Sequence, residues 1–183
     1  MPPFTATSDE LSHHWLERHV ASLAEANDCR LELLVRALNP PAGARGSQDR
    51  VLRRLESLSE RGIVDSYEIR VCGARIPPEG TAARTDAGRR LNDIVDRARS
   101  WADDHDPVTL EGTFAERTVD CSITGEHYRV VVPPCLALLV YREDGLSAVV
   151  PCSVGDRALS VAGYLDLLAD EITDSPRSVV IDG

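Results

Sequence analysis

The chain has 183 residues, 43% of them hydrophobic and 4% aromatic, and 30 acidic against 20 basic residues give a formal charge of −10. That suffices for one core in a domain of roughly 140 residues with terminal extensions, and no apolar run approaches the ~18–20 residues of a spanning helix. Every basic residue is arginine and lysine is absent; such an acidic surface suits a salt-rich cytosol, where screening removes carboxylate repulsion, and sets the expectation of an extremely halophilic archaeal source.

Met1-Pro2-Pro3-Phe4 lacks the charged and apolar regions of an export signal, so the cytoplasm is the expected compartment. Residues 1–10 read as an arm. Ser12 is placed to cap a helix over about 13–27, with Trp15, Leu16, Val20 and Leu23 on one stripe. Leu31, Leu33, Val35 and Ala37 then alternate along a strand whose other face carries Leu34 and Leu38, the pattern of a central strand. Asn39 to Gly46 reads as a loop, followed by a helix over 48–61 that buries Val51, Leu52, Leu55 and Leu58 and stops at Gly62.

Tyr67, Ile69 and Val71 alternate with Ser66, Glu68 and Arg70, which predicts a half-buried edge strand. Thr85 caps a long helix to about 104 with Leu91, Ile94, Val95, Ala98 and Trp101 inward. Thr118–Ile123 and His127–Val132 pair across Thr124-Gly125-Glu126 as an inserted hairpin. Leu136–Tyr141 and Leu146–Cys152 form a second hairpin across Glu143-Asp144-Gly145, and a helix over 159–172 buries Leu159, Tyr164, Leu165, Leu168 and Ile172. The expected division is an arm and helix at 1–28, an α/β domain with a mixed sheet at 29–173, and a tail at 174–183.

This β-α-β-α-(β-β)-β-β-α order, with Pro133-Pro134 feeding a strand, the Glu143-Asp144-Gly145 turn, a strand and a helix, resembles the thioredoxin-like fold over residues 31–172. The resemblance implies a cis-proline before the third core strand and a cysteine nucleophile after the first. The corresponding loop, Asn39 to Gln48, contains no cysteine. It therefore implies a binding or regulatory module without disulfide-exchange chemistry.

Four further stretches, Pro41-Ala42-Gly43-Ala44, Ala83-Arg84-Thr85-Asp86-Ala87-Gly88, Ser122-Ile123-Thr124-Gly125-Glu126-His127-Tyr128 and Val150-Pro151-Cys152-Ser153, are similar to a family of haloarchaeal proteins known as a helix-turn-helix domain family. That resemblance implies a DNA-binding transcriptional regulator.

Five cysteines, at 29, 72, 121, 135 and 152, form no CxxC pair and suit reduced, mostly buried thiols. Cys135 and Cys152 fall opposite one another across the second hairpin, which makes them candidates for a redox-sensing pair. His13, His14, Glu17 and His19 share a helix, and Cys121 lies near His127. Only His13 and Glu17 have i,i+4 spacing, so neither a metal nor a cofactor is expected. No GxSxG, GxxxxGK[ST] or strand-linked GxGxxG occurs, and no catalytic residue is assigned.

Arg45, Ser47, Arg50, Arg53 and Arg54 crowd a helix start against Asp49 alone, in a glycine-containing stretch suited to an anion. Arg84, Arg89, Arg90, Arg97 and Arg99 line the next helix, interleaved with Asp86, Asp93 and Asp96. Both sets are candidates for phosphate contact. A strand and a loop of about ten residues before helix 48–61 oppose a helix-turn-helix there, since that motif takes a turn of roughly 3–4 residues. Three readings result: a non-enzymatic regulatory or interaction protein, self-associating through the edge at 66–72 or the first helix; a DNA-binding regulator; and a thiol redox sensor.

Overall fold

The computed structural model describes residues 8–24, 28–120, 127–143 and 145–174, with side chains at 14–22, 28–120, 127–143 and 145–170. In chain order its first elements are α1 (Ser8–Ala24), β1 (Arg30–Val35), α2 (Ala42–Glu60), β2 (Ser66–Val71), α3 (Gly80–Ala83) and α4 (Asp86–Asp103). Then follow β3 (Val108–Thr109), β4 (Ala115–Asp120), β5 (His127–Val132), β6 (Leu136–Arg142), β7 (Gly145–Val150), β8 (Cys152–Val154), β9 (Arg157–Leu159) and α5 (Val161–Asp174).

The protein is of mixed α/β class. Its main sheet has the order β2-β1-β6-β7, with β1 parallel to β2 and the other pairs antiparallel. Leu31, Leu33, Leu34 and Val35 of β1, and Ala137 to Val140 of β6, are buried, so both faces of the sheet centre are covered. A parallel pair requires a crossover, which α2 supplies. α2 packs on α5, α1 packs on α5, and α4 packs on β7. Leu16 and Val20 of α1 enter the same core as Leu165 and Leu168 of α5. A hairpin is present as β4 paired with β5, but its first strand is Ala115–Asp120, not 118–123, with Asp120 opposite His127; Ile76 bridges it to the domain at Val131. Its connection at 121–126 lies outside the described residues, as do 1–7 of the expected arm and 175–183 of the expected tail, whereas 8–10 belong to α1 and Asp174 to α5.

Several boundaries differ from expectation. α1 begins by Ser8, so Ser12 is inside the helix. β1 ends at Val35, and Leu38 lies beyond it, 73% exposed. α2 begins at Ala42, so Gly43 to Ser47 are helical and form no loop. Two glycines cost a helix about 1 kcal/mol each. Two features offset this: Pro41 sits at the N-cap with φ −52°, and the buried Gln48 amide donates to Ala37 O (3.2 Å) and Leu38 O (3.4 Å).

β7 stops at Val150. Pro151 redirects the chain, and Cys152 joins β8, which pairs with β3 and β9 in a three-stranded sheet that the short runs did not announce. Cis peptide bonds occur at Asp106-Pro107 and Val150-Pro151, not before β6 where the thioredoxin-like resemblance placed one.

Thr85 caps α4 as read, its Oγ1 accepting from Gly88 N at 3.0 Å. The single turn α3 lies so close that a Cβ on Gly88 would stand 2.0 Å from Ala82 O. Gly88→Ala is therefore expected to lower stability by on the order of 1–3 kcal/mol in urea denaturation, because backbone must move. Gly46→Ala, with nothing within 4 Å of its added Cβ, is expected to raise stability by up to ~1 kcal/mol.

His19 Nε2 shares a 2.7 Å hydrogen bond with the buried Tyr164 hydroxyl. Burial, then Arg142, then His105, push the His19 imidazole down to about 4 from an ordinary 6.5. The unfolded chain takes up a proton that the fold refuses, so this site costs stability as pH falls from about 6.5 towards 4. His19→Gln is expected to flatten that acid limb by about 3 kcal/mol in denaturation midpoints compared across the window.

Candidate functional site

Arg45, Ser47, Arg50, Arg53 and Arg54 occupy the exposed side of α2, opposite buried Gln48, Val51, Leu55 and Leu58. Arg45 donates to Asn39 Oδ1. Arg54 reaches across to Asp166 of α5, Nη2 to Oδ1 at 2.5 Å. Arg50 and Arg53 have no acidic partner among the described residues, and no acid stands in the first turn of α2. Ser47 and Arg50 also line a groove of about 320 Å³ with Cys135, Leu136, Pro151 and the start of α5 at Ser160. Ser160 Oγ is engaged as a cap, accepting from Gly163 N at 3.1 Å.

Two of the four arginines of α4, Arg89 and Arg99, are paired with acids. Arg89 holds Asp86 and the Arg84 carbonyl. Arg99 donates to Glu116 Oε1 and to Phe114 O, each at 3.0 Å. Arg97 lies 5.8 Å over the Tyr141 ring and donates to Asp93 O at 3.2 Å. Arg90 is exposed and lines a cleft of about 530 Å³ between α4 and the sheet. α2 and α4 belong to separate helix layers, so the two arginine sets do not merge into one surface. Among the described residues, the one place where two helices meet across a short turn is α3 and α4, through Arg84 and Thr85.

The floor of that cleft is a polar network that the sequence did not reveal. Glu32 accepts from Arg70 Nε at 2.7 Å and from Tyr141 Oη at 3.1 Å, and Arg70 Nη2 reaches Glu68 at 2.7 Å. Burial alone would lower the Arg70 guanidinium, but the Glu32 hydrogen bond and charge reverse it and hold it above its ordinary range. Burial, then Glu32, push the Tyr141 phenol up to about 12. The network ties β2 to β1 and β6, and the only sequence signal for it is the Glu68/Arg70 alternation.

The edge strand corrects the reading of its faces. β2 ends the sheet, as expected, but its apolar side is also open: Tyr67 is 37%, Ile69 40% and Val71 46% exposed, whereas Arg70 is half-buried. Each of these three side chains is covered only in part.

Cys135 and Cys152 do not form the expected pair. Their ladder ends at Leu138 against Val150, Cys135 is exposed, and Cys152 is buried in another sheet with its thiol pushed up to about 12 by burial. Burial likewise pushes Cys72 up to about 11. Neither thiol ionises readily, which removes the basis of the sensor reading. No group of three metal-ligating side chains converges among the described residues. His13 and Cys121 lie outside the described side chains, and His127 bonds Asp120 at 2.5 Å.

A family model described as a helix-turn-helix domain matches residues 23–173, and the chain belongs to that family. No curated protein and no solved structure gives a significant match. No helix among the described residues is long and apolar enough to cross a membrane.

Thiol labelling with peptide mapping is expected to modify Cys135 first among Cys29, Cys72, Cys135 and Cys152, with the other three protected until denaturant is added. Simultaneous early modification of Cys135 and Cys152 would contradict the separation described.

Proposed function

We propose that the protein is a non-enzymatic regulatory module, cytoplasmic in a halophilic archaeon, that acts by association through the free edge of β2. One observation carries this reading. Cys72 N–H donates to Val35 O at 2.9 Å, so the even residues of β2 bond to β1 while Tyr67, Ile69 and Val71 turn their N–H and C=O groups outward. An edge that offers both unpaired backbone and an apolar stripe is a template for another strand.

The stripe is self-complementary. Antiparallel pairing of two copies about Ile69 sets Tyr67 against the second copy's Val71 on one face. On the other it sets Glu68 against the second copy's Arg70. Each such cross-strand pair contributes roughly 0.2–1 kcal/mol. The two-fold axis runs through the outward-facing backbone of Ile69, so the hydrogen-bond register agrees with the side-chain register. The strand order, with only β1 and β2 parallel, supports the thioredoxin-like reading of 29–173, with 1–28 and 174–183 as appendages.

DNA binding is the second reading, favoured by family membership and by the unpartnered Arg50 and Arg53. The two readings are compatible: a two-fold across β2 places both copies of α2 on one face of a continuous sheet, as a two-fold site on duplex DNA would require.

Sedimentation tests the first reading. Wild type is expected to be a dimer and Ile69→Lys a monomer, with little change in thermal stability because Ile69 is 40% exposed. A monomeric wild type overturns it. For the second, an Arg50→Ala/Arg53→Ala variant is expected to weaken duplex binding and to reduce the salt slope by about two. Wild-type binding that is absent, or indifferent to salt, overturns that reading.

A further inference from the structure

We infer that the cavity of about 470 Å³ between α1, the end of α4 and the β6–β7 hairpin is a binding site for a small-molecule oxyanion, a phosphate or carboxylate group. Its size is that of a small-ligand pocket. The lining used here is Trp15, Arg18 and His19 from α1, His105 after α4, Arg142 of β6 and Ser147 of β7. Two guanidiniums and two imidazoles thus converge with no carboxylate among the described lining residues, in a chain of charge −10. On so acidic a protein, a cavity lined by one sign is a local reversal that focuses field on an anion.

The two guanidiniums are held but not neutralised. Arg142 donates through Nη1 to Ser22 Oγ, which leaves it a full positive charge, and its Nε is buried with no hydrogen-bond partner. Arg18 has no acidic partner among the described residues. His105 is oriented by a 2.7 Å contact of Nδ1 to Trp101 O, which leaves Nε2 open. His19 is clamped between the Tyr164 hydroxyl and the Trp15 ring, stacked at 4.9 Å and 5°.

Protonation of His19 is disfavoured in this setting. Arg142 and His105 both help to depress the His19 imidazole, after burial, and an oxyanion among them relieves that repulsion and accepts from the guanidiniums that line the cavity. The Trp15 ring supplies a flat apolar wall for the rest of such a ligand. This site is separate from β2 and from the arginines of α2, so it stands or falls independently of the proposed function.

The chain has two tryptophans, Trp15 and Trp101, which lie edge-to-face at 6.4 Å beside the cavity, so intrinsic fluorescence reports on this site. The experiment titrates full-length protein with inorganic phosphate and, separately, with benzoate, at ionic strength held constant with KCl. A saturable fluorescence change with either probe is expected, the two arms distinguishing phosphate from carboxylate preference. Affinity is expected to fall at least ten-fold in Arg142→Gln and several-fold in Arg18→Gln. NMR titration is expected to show the His19 ring protonating at higher pH when the probe is bound. Arg18 is exposed, so its variant folds even where Arg142→Gln does not. Absence of any saturable change beyond that of KCl, or unchanged affinity in Arg18→Gln, overturns the inference.

Discussion

The pairing of β1 with β6 is the constraint on which the rest depends. These two strands are buried on both faces, and in register they set Leu33 against Leu138 and Leu34 against Ala137. A strand covered on both sides cannot slip by one residue without driving Glu32 into the wrong layer. That fixed register makes every neighbour predictable: β2 and β7 must be the outer strands, and α2 must cross from β1 to β2 over one face. The polar exception, Glu32, is tolerated because Arg70 and Tyr141 saturate it. The same contacts lock the edge strand in place.

Charge follows from this geometry. The helices that cover the sheet carry arginine outward, and three of those cations find an acid nearby: Arg54 with Asp166, Arg89 with Asp86, Arg99 with Glu116. Such exposed pairs contribute little to stability. Their effect is to subtract positive surface, so the residues that stay unpaired mark where an anion is still accommodated. On α2 these are Arg45, held only by the neutral Asn39 amide, with Arg50 and Arg53. Arg18 of α1 and Arg142 of β6 line a cavity instead of an open surface.

The central strands, α4 with its Thr85 cap, and both hairpins were legible because their periodicity is strict over six or more residues or their turn chemistry is local. The start of α2 was not, since hydrogen bonds from Gln48 to the end of β1 override the local preference of Gly43 and Gly46. β8 and β9 are three residues each, too short to show a period. The arginine candidates were visible as a charge bias. Which of them are neutralised was not, because the partner of Arg54 lies 112 residues away. Cys135 and Cys152 looked paired only while the hairpin was extended past Val150. The openness of β2's apolar side depends on what fails to cover it, which alternation alone does not encode.

Self-association through β2 is the claim that gives the fold a use, and amide hydrogen exchange resolved residue by residue tests it most directly. The backbone of β2 carries its own internal control, since Glu68 and Arg70 amides bond to β1 whether or not a second copy is present. The account predicts that the Tyr67, Ile69 and Val71 amides become protected as protein concentration rises, approaching their even-numbered neighbours. Fast exchange at those three positions at every concentration, with Glu68 and Arg70 protected throughout, would contradict it.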